Sequence, residues 1–149
     1  MASEKPMVLV PGEEEQEVGR ALLLWLNTYP DLPVARINFE FLAEDTPGIM
    51  LSTIQAAVKT RQYIMGGYEA QYQFKLVYRT QPNDNDSRLA ADEVLNSIGV
   101  WAETEETKPN LGNAIVRSIK RTSSASLYAA YDDGSRDHQI LMNLTYEVI

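Results

Sequence analysis

The chain has 149 residues and a formal charge of −8, with a pI near 4.6. That length suits one domain able to bury roughly two thirds of its unfolded surface. It contains no cysteine, which excludes disulfides, thiolate metal sites and thiol nucleophiles, and its acidity disfavours a grip on DNA phosphates.

Residues 1–12 read as an N-terminal arm. Met7 to Val10 is either a short edge strand or loose chain, and Pro11-Gly12 breaks it. The start has no signal-peptide form, because its apolar stretch is short and a glutamate run follows. A helix is expected over about Glu13 to Asn27, with Val18, Ala21, Leu22, Trp25 and Leu26 on one face. Leu23 and Leu24 widen that stripe, which implies deep burial or a second contact. The four carboxylates Glu13, Glu14, Glu15 and Glu17 read as first-turn residues that complement the helix dipole, in preference to metal ligands. Tyr29-Pro30-Asp31 ends the helix. The longest apolar run, Leu22 to Leu26, is too short to span a bilayer. The expectation is a soluble protein made in the cytoplasm, with no membrane partner.

A strand follows over about Pro33 to Leu42, in which Ala35, Ile37, Phe39 and Phe41 alternate with polar residues. Glu44 to Gly48 is a turn cluster, and Ile49 to Ser52 a short strand. Lys59 to Arg79 reads as a hairpin. Gly66-Gly67 would form its two-residue turn, since glycine reaches positive φ at both positions. After the turn, Tyr68, Ala70, Tyr72, Phe74, Leu76 and Tyr78 share one face. Gln81 to Asn85 is a loop, and a second helix begins near Asp86 as N-cap. Its stripe is Ala91, Val94, Leu95 and Ile98. Gly99 closes it in the αL position, with Trp101 packing just after. Residues 103–113 read as a long mobile loop. Three strands complete the chain, about Ala114–Arg121, Ser124–Tyr131 and Arg136–Val148, the last two joined by a hairpin turn at Asp133-Gly134. Helices segregated from antiparallel hairpins mean an α+β fold, an antiparallel sheet with two helices packed on it, over residues 13–149.

No catalytic signature emerges. Asp84-Asn85-Asp86-Ser87 starts like a calcium loop, but the sixth and twelfth positions hold Leu89 and Leu95 where Gly and Glu are required. His138 is the only histidine and lies in phase with an apolar strand face, as a packed or solvent-edge residue would. A triad also needs a nucleophile and an orienting acid beside it. Arg117, Lys120 and Arg121 form a basic cluster better suited to ion pairs within this acidic chain than to phosphates. Gly66-Gly67 precedes no helix, so it is not a phosphate cradle. Of Tyr63, Tyr68, Tyr72 and Tyr78, some belong to a core and some suit an interface. No metal, cofactor or catalytic residue is expected.

A helix ending in WL, then VARINFEFL, a short LSTI segment, VKTRQYIMGGYEAQYQFKLVYR, and the helix NDNDSRLAADEVLNSIGVWAE together resemble the phage minor capsid and tail terminator family. The resemblance covers about Glu13 to Glu103. It implies a small α+β domain in a homomeric ring, most often six copies, that caps the tail tube and performs head–tail joining. The implied partners are other copies of itself, the tail tube protein, a head-completion or connector protein, and a sheath protein if the tail contracts. DNA would pass through the ring without specific binding, and the protein would reside at the head-proximal end of the virion tail. It would be made in a host bacterial cytoplasm, for a phage or a tailocin. The alternatives are another connector or tube component, or a small cytoplasmic acyltransferase-type enzyme. The residues expected at a subunit or tube interface are Tyr63, Met65, Gly66, Gly67, Tyr68, Leu23 and Leu24, because methionine and tyrosine suit adaptable contacts at a projecting turn.

Overall fold

A computed structural model describes residues 11–42, 47–81 and 85–149. The arm residues Met7 to Val10, the turn residues Glu44 to Thr46 and the loop residues Pro82 to Asp84 lie outside the described residues. The element order is α1 (Pro11–Leu26), β1 (Ile37–Phe39), β2 (Gly48–Gln62), β3 (Tyr68–Thr80), α2 (Asn85–Thr104), β4 (Ile115–Arg121), β5 (Ser126–Ala130) and β6 (Arg136–Val148). The fold is α+β. Six strands form one sheet in the order β1-β2-β3-β6-β4, with β5 also paired to β6. All pairings are antiparallel except β1 with β2. That parallel edge departs from the expected all-antiparallel sheet.

Both helices cover one face. Val18, Leu22, Trp25 and Leu26 of α1 are buried, as are Ala91, Leu95, Ile98 and Ala102 of α2. Beneath them lie Tyr68, Ala70, Tyr72, Phe74 and Leu76 of β3 and Ile140, Met142, Leu144 and Tyr146 of β6. The register pairs Tyr72 with Leu144 and Phe74 with Met142, so each apolar residue meets another across the strands. The opposite face carries Gln73, Lys75 and Arg79, whose neighbours across the strands are Asn143, Leu141 and Asp137.

Several boundaries differ from the sequence reading, each for a physical reason. Pro11 opens α1 instead of breaking the chain, because proline's missing N–H costs nothing in the first helical turn. β1 shrinks to three residues because Glu40 takes a positive φ of 54° and ends it. The expected short strand at Ile49 and the first arm of the hairpin are one fifteen-residue strand, bent by register shifts between Thr53 and Gln55, Gln55 and Val58, and Lys59 and Arg61. Gly99 lies inside α2, not after it. A Cβ there would sit 2.6 Å from Arg121 Cδ and 3.1 Å from Ile140 Cδ1, so this glycine lets the helix approach the sheet. Trp101 is accordingly a helical residue, stacked on Trp25 with ring centroids 4.6 Å apart. The loop after α2 is anchored: Trp25 Nε1 donates to the Thr107 carbonyl at 2.6 Å, and Pro109 and Leu111 are buried.

Candidate functional site

Among the described residues, the hairpin between β2 and β3 carries the most exposed large apolar side chains. Its turn is not the two-residue Gly-Gly loop. Gly66 N–H donates to the Tyr63 carbonyl at 3.2 Å, and Tyr63 N–H to the Gly67 carbonyl at 3.1 Å. The connection is therefore five residues, Tyr63 to Gly67, with Ile64 and Met65 at its apex. The glycines form the return, at φ 96° and 83°. This is the hairpin solution in which a turn is followed by a glycine at positive φ. Gly67 is also sterically fixed: a Cβ there would stand 2.4 Å from the Val148 carbonyl oxygen.

The expected interface residues divide accordingly. Met65 is 94% exposed and its neighbour Ile64, which the sequence reading passed over, 99%. The missed signal was the offset of the turn by two residues, which lifts Ile64 to the apex. Tyr63 is half-buried and donates its hydroxyl to Glu147. Arg117 pairs with the same carboxylate. These two partners hold the Glu147 carboxyl below the usual carboxylate range. Gly67 and Tyr68 are buried, so Tyr68 is a core residue. Leu23 is partly buried against the core, whereas Leu24 is 67% exposed.

Leu24 borders a groove of about 660 Å³ between α1 and residues 108–113, floored by Trp25 and Leu111 and edged by Glu13 and Glu17. Lys108 beside it donates to the Ala102 carbonyl at 3.0 Å, which caps the end of α2, and lies 5.9 Å from the Trp25 ring.

Beneath the first turn of α1 lies a polar cluster. Glu14 is buried and accepts the Tyr68 hydroxyl at 2.6 Å and the Tyr146 hydroxyl. Burial first, and then the bond to Glu14, pushes both phenols well above their ordinary value. The Tyr72 hydroxyl meets Thr53 Oγ1 at 2.6 Å. Glu14 thus has a structural partner set that the dipole argument alone did not supply; Glu13, Glu15 and Glu17 are exposed, as first-turn carboxylates ordinarily are.

His138 is buried on the helical face, with Nδ1 2.8 Å from Asp92. Its Nε2 is buried and has no hydrogen-bond partner. A nucleophile would have to be bonded to that nitrogen for a triad, so the pair is a packed His–Asp contact. The basic cluster forms ion pairs: Arg117 with Glu147 and Arg121 with Glu103. On the helix-free face Arg79 grips Asp137 through two bonds of 2.7 and 2.8 Å, and Tyr131 donates to the same carboxylate at 2.7 Å. Among the described residues no cluster of His, Asp or Glu is arranged to hold a metal, and no helix is long and apolar enough to cross a membrane.

At single positions on each lateral edge of the sheet, side chains hold backbone groups. Asn27 Nδ2 donates to the Ile37 carbonyl at 3.1 Å, and Asn27 Oδ1 accepts the Ile37 N–H at 2.7 Å. Glu40 Oε2 accepts the Thr53 N–H at 3.0 Å, just past the end of β1. On the far side Glu103 Oε2 accepts the Arg121 N–H at 2.8 Å. Each substitutes for a neighbouring strand.

No protein-family model matches the chain, and none of the curated proteins matches it.

Proposed function

We propose that the protein is a virion structural component, a tail terminator or head–tail joining protein that assembles with copies of itself into a ring on the tail tube. The observation that supports this reading is the hairpin apex. Two large apolar side chains, Ile64 and Met65, stand almost wholly in solvent on a turn that is held by backbone bonds. Two adjacent large apolar side chains left in solvent at a hairpin tip suit a protein contact. Further exposed apolar residues lie along both sheet edges, Phe41 and Ile54 on one side and Ile115, Leu127 and Tyr128 on the other. Unlike surfaces on two sides suit head-to-tail association, which closes into a ring when the rotation permits. The acidic charge suits a ring through which DNA slides.

Sedimentation and native mass measurement of the purified chain, and imaging of tails that contain it, test the proposal. The expected species is a closed ring, most often of six. A strict monomer both at high concentration and on assembled tails would refute it. The neighbouring genes give an independent check, since portal, head-completion and tube genes should adjoin it.

A further inference from the structure

We propose that Pro6–Val10, a stretch outside the described residues, folds back along α1 and seats in the groove between α1 and residues 108–113 of its own copy. The inference does not depend on the ring reading. Position supports it first. Pro11 opens α1, and Glu13, two residues later, edges the groove. Glu14 bonds Tyr146, whose neighbour on β4 is Val116. The first turn of α1 therefore lies beside the end of the 108–113 segment that enters β4. At the other end Trp25 donates to the Thr107 carbonyl, which sets the last turn of the helix beside the start of that segment. The groove thus opens at the end of α1 to which the preceding chain is joined. Proline at position 11 disfavours helix at Val10, so the chain can reverse there.

Length and chemistry agree with that position. From Glu13 to Leu24 the helix rises about 16 Å, at about 1.5 Å per residue. Five extended residues span about 17 Å. Pro6-Met7-Val8-Leu9-Val10 is apolar and carries no charge. The groove is charge-balanced, with Glu13 and Glu17 against Arg20 and Lys108, so it selects neither an acidic nor a basic partner. Between those charges its surface is apolar. Leu24 is 67% exposed on a helix whose other large apolar residues are at least partly covered, and its side chain leans back toward the helix N-terminus. The floor is rigid, because Trp25 is stacked on Trp101 and tied to the Thr107 carbonyl. A free partner would lose translational freedom on docking there, whereas a segment joined to one wall of the groove has already lost it.

The chain has no cysteine, so one introduced thiol is a clean reporter. Leu24→Cys is labelled with a small maleimide, alone and combined with Val8→Asp and Leu9→Asp. In the chain carrying Leu24→Cys alone, labelling should be slower by roughly tenfold, the ratio that a docked fraction of about nine-tenths gives. That ratio should be the same at every protein concentration. Equal rates in the two chains overturn the proposal. Protection that grows with concentration marks another copy in the groove and overturns it too. Should Leu24→Cys fail to fold, Val8→Cys with Glu17→Cys decides, since both positions lie about 6 Å along from the mouth. An intramolecular disulfide in dilute solution is expected; no link, or linked dimers only, overturns the docking. A chain that stays monomeric throughout removes the ring reading and leaves this inference standing.

Discussion

Glu14 is the sharpest test of how this fold is held. It is the fourth residue of α1 and only 3% exposed, and its carboxylate receives the hydroxyls of Tyr68 on β3 and Tyr146 on β6. The carboxylate is compatible with burial because it lies in the first helical turn, where free N–H groups favour negative charge. Glu14→Ala removes the carboxylate acceptor that two buried phenols share. Each unsatisfied buried donor costs about 1–3 kcal/mol, so the variant should lose roughly 2–6 kcal/mol. Against a total of about 5–15 kcal/mol, that is a large fraction of the stability.

Urea unfolding gives the number. With a slope of about 2 kcal/mol/M, the midpoint should fall by roughly 1–3 M at unchanged slope. The companion variant combines Glu14→Leu with Tyr68→Phe and Tyr146→Phe. It removes both sides of each bond to Glu14, so it should lie much closer to the wild type than Glu14→Ala does. If the single variant shifts the midpoint by less than about 0.3 M, the cluster contributes nothing. If the triple variant falls as far as the single one, the loss is packing and the hydrogen-bond argument is wrong.

Alkaline stability probes the same cluster from the other partner. The phenols of Tyr68, Tyr72 and Tyr146 are raised above 10, mainly by burial. Below that value both folded and unfolded chains keep these protons; above it the unfolded chain ionises first, so stability falls as pH rises. The expected loss is on the order of 1 kcal/mol per buried tyrosine at about one pH unit above 10, and a urea midpoint that is flat across this range would contradict it. Gly67→Ala should destabilise by about 1–3 kcal/mol, because φ is 83° and a Cβ would stand 2.4 Å from the Val148 carbonyl oxygen. A thermal midpoint unchanged in Gly67→Ala would show that the turn relaxes freely.

The α+β order and the buried stripes of both helices were legible in the sequence because they follow from local periodicity. So were the alternating faces of β3 and β6, which pair residue for residue. What was hidden depended on partners far along the chain. Glu14 looks like any first-turn carboxylate until strands 54 and 132 residues away bring Tyr68 and Tyr146 under it. His138 looks solitary until α2 brings Asp92 to it. Gly99 carries a helix-ending signal, but close approach to Arg121 and Ile140 is a tertiary demand that local rules do not see. At the hairpin the glycine pair was read correctly as needing positive φ, yet its placement two residues later in the turn exposed Ile64 and withdrew Tyr68. The same turn form recurs at the second hairpin, one residue before the expected Asp133-Gly134 centre: Gly134 N–H donates to the Tyr131 carbonyl at 2.9 Å and Asp133 caps Ser135.

The guarded edges bear on how such a chain could build a finite object. A sheet edge with free N–H and C=O groups will pair with another edge, and repeated pairing has no natural stop. Here Asn27 occupies both backbone groups of Ile37, Glu40 occupies Thr53, and Glu103 occupies Arg121. At these positions a neighbouring strand would have to displace the side chains to gain a ladder bond, and the register shifts in β2 interrupt the regular template. At Ile37, Thr53 and Arg121 strand addition is therefore disfavoured, whereas Ile64 and Met65 stay open to side-chain contact.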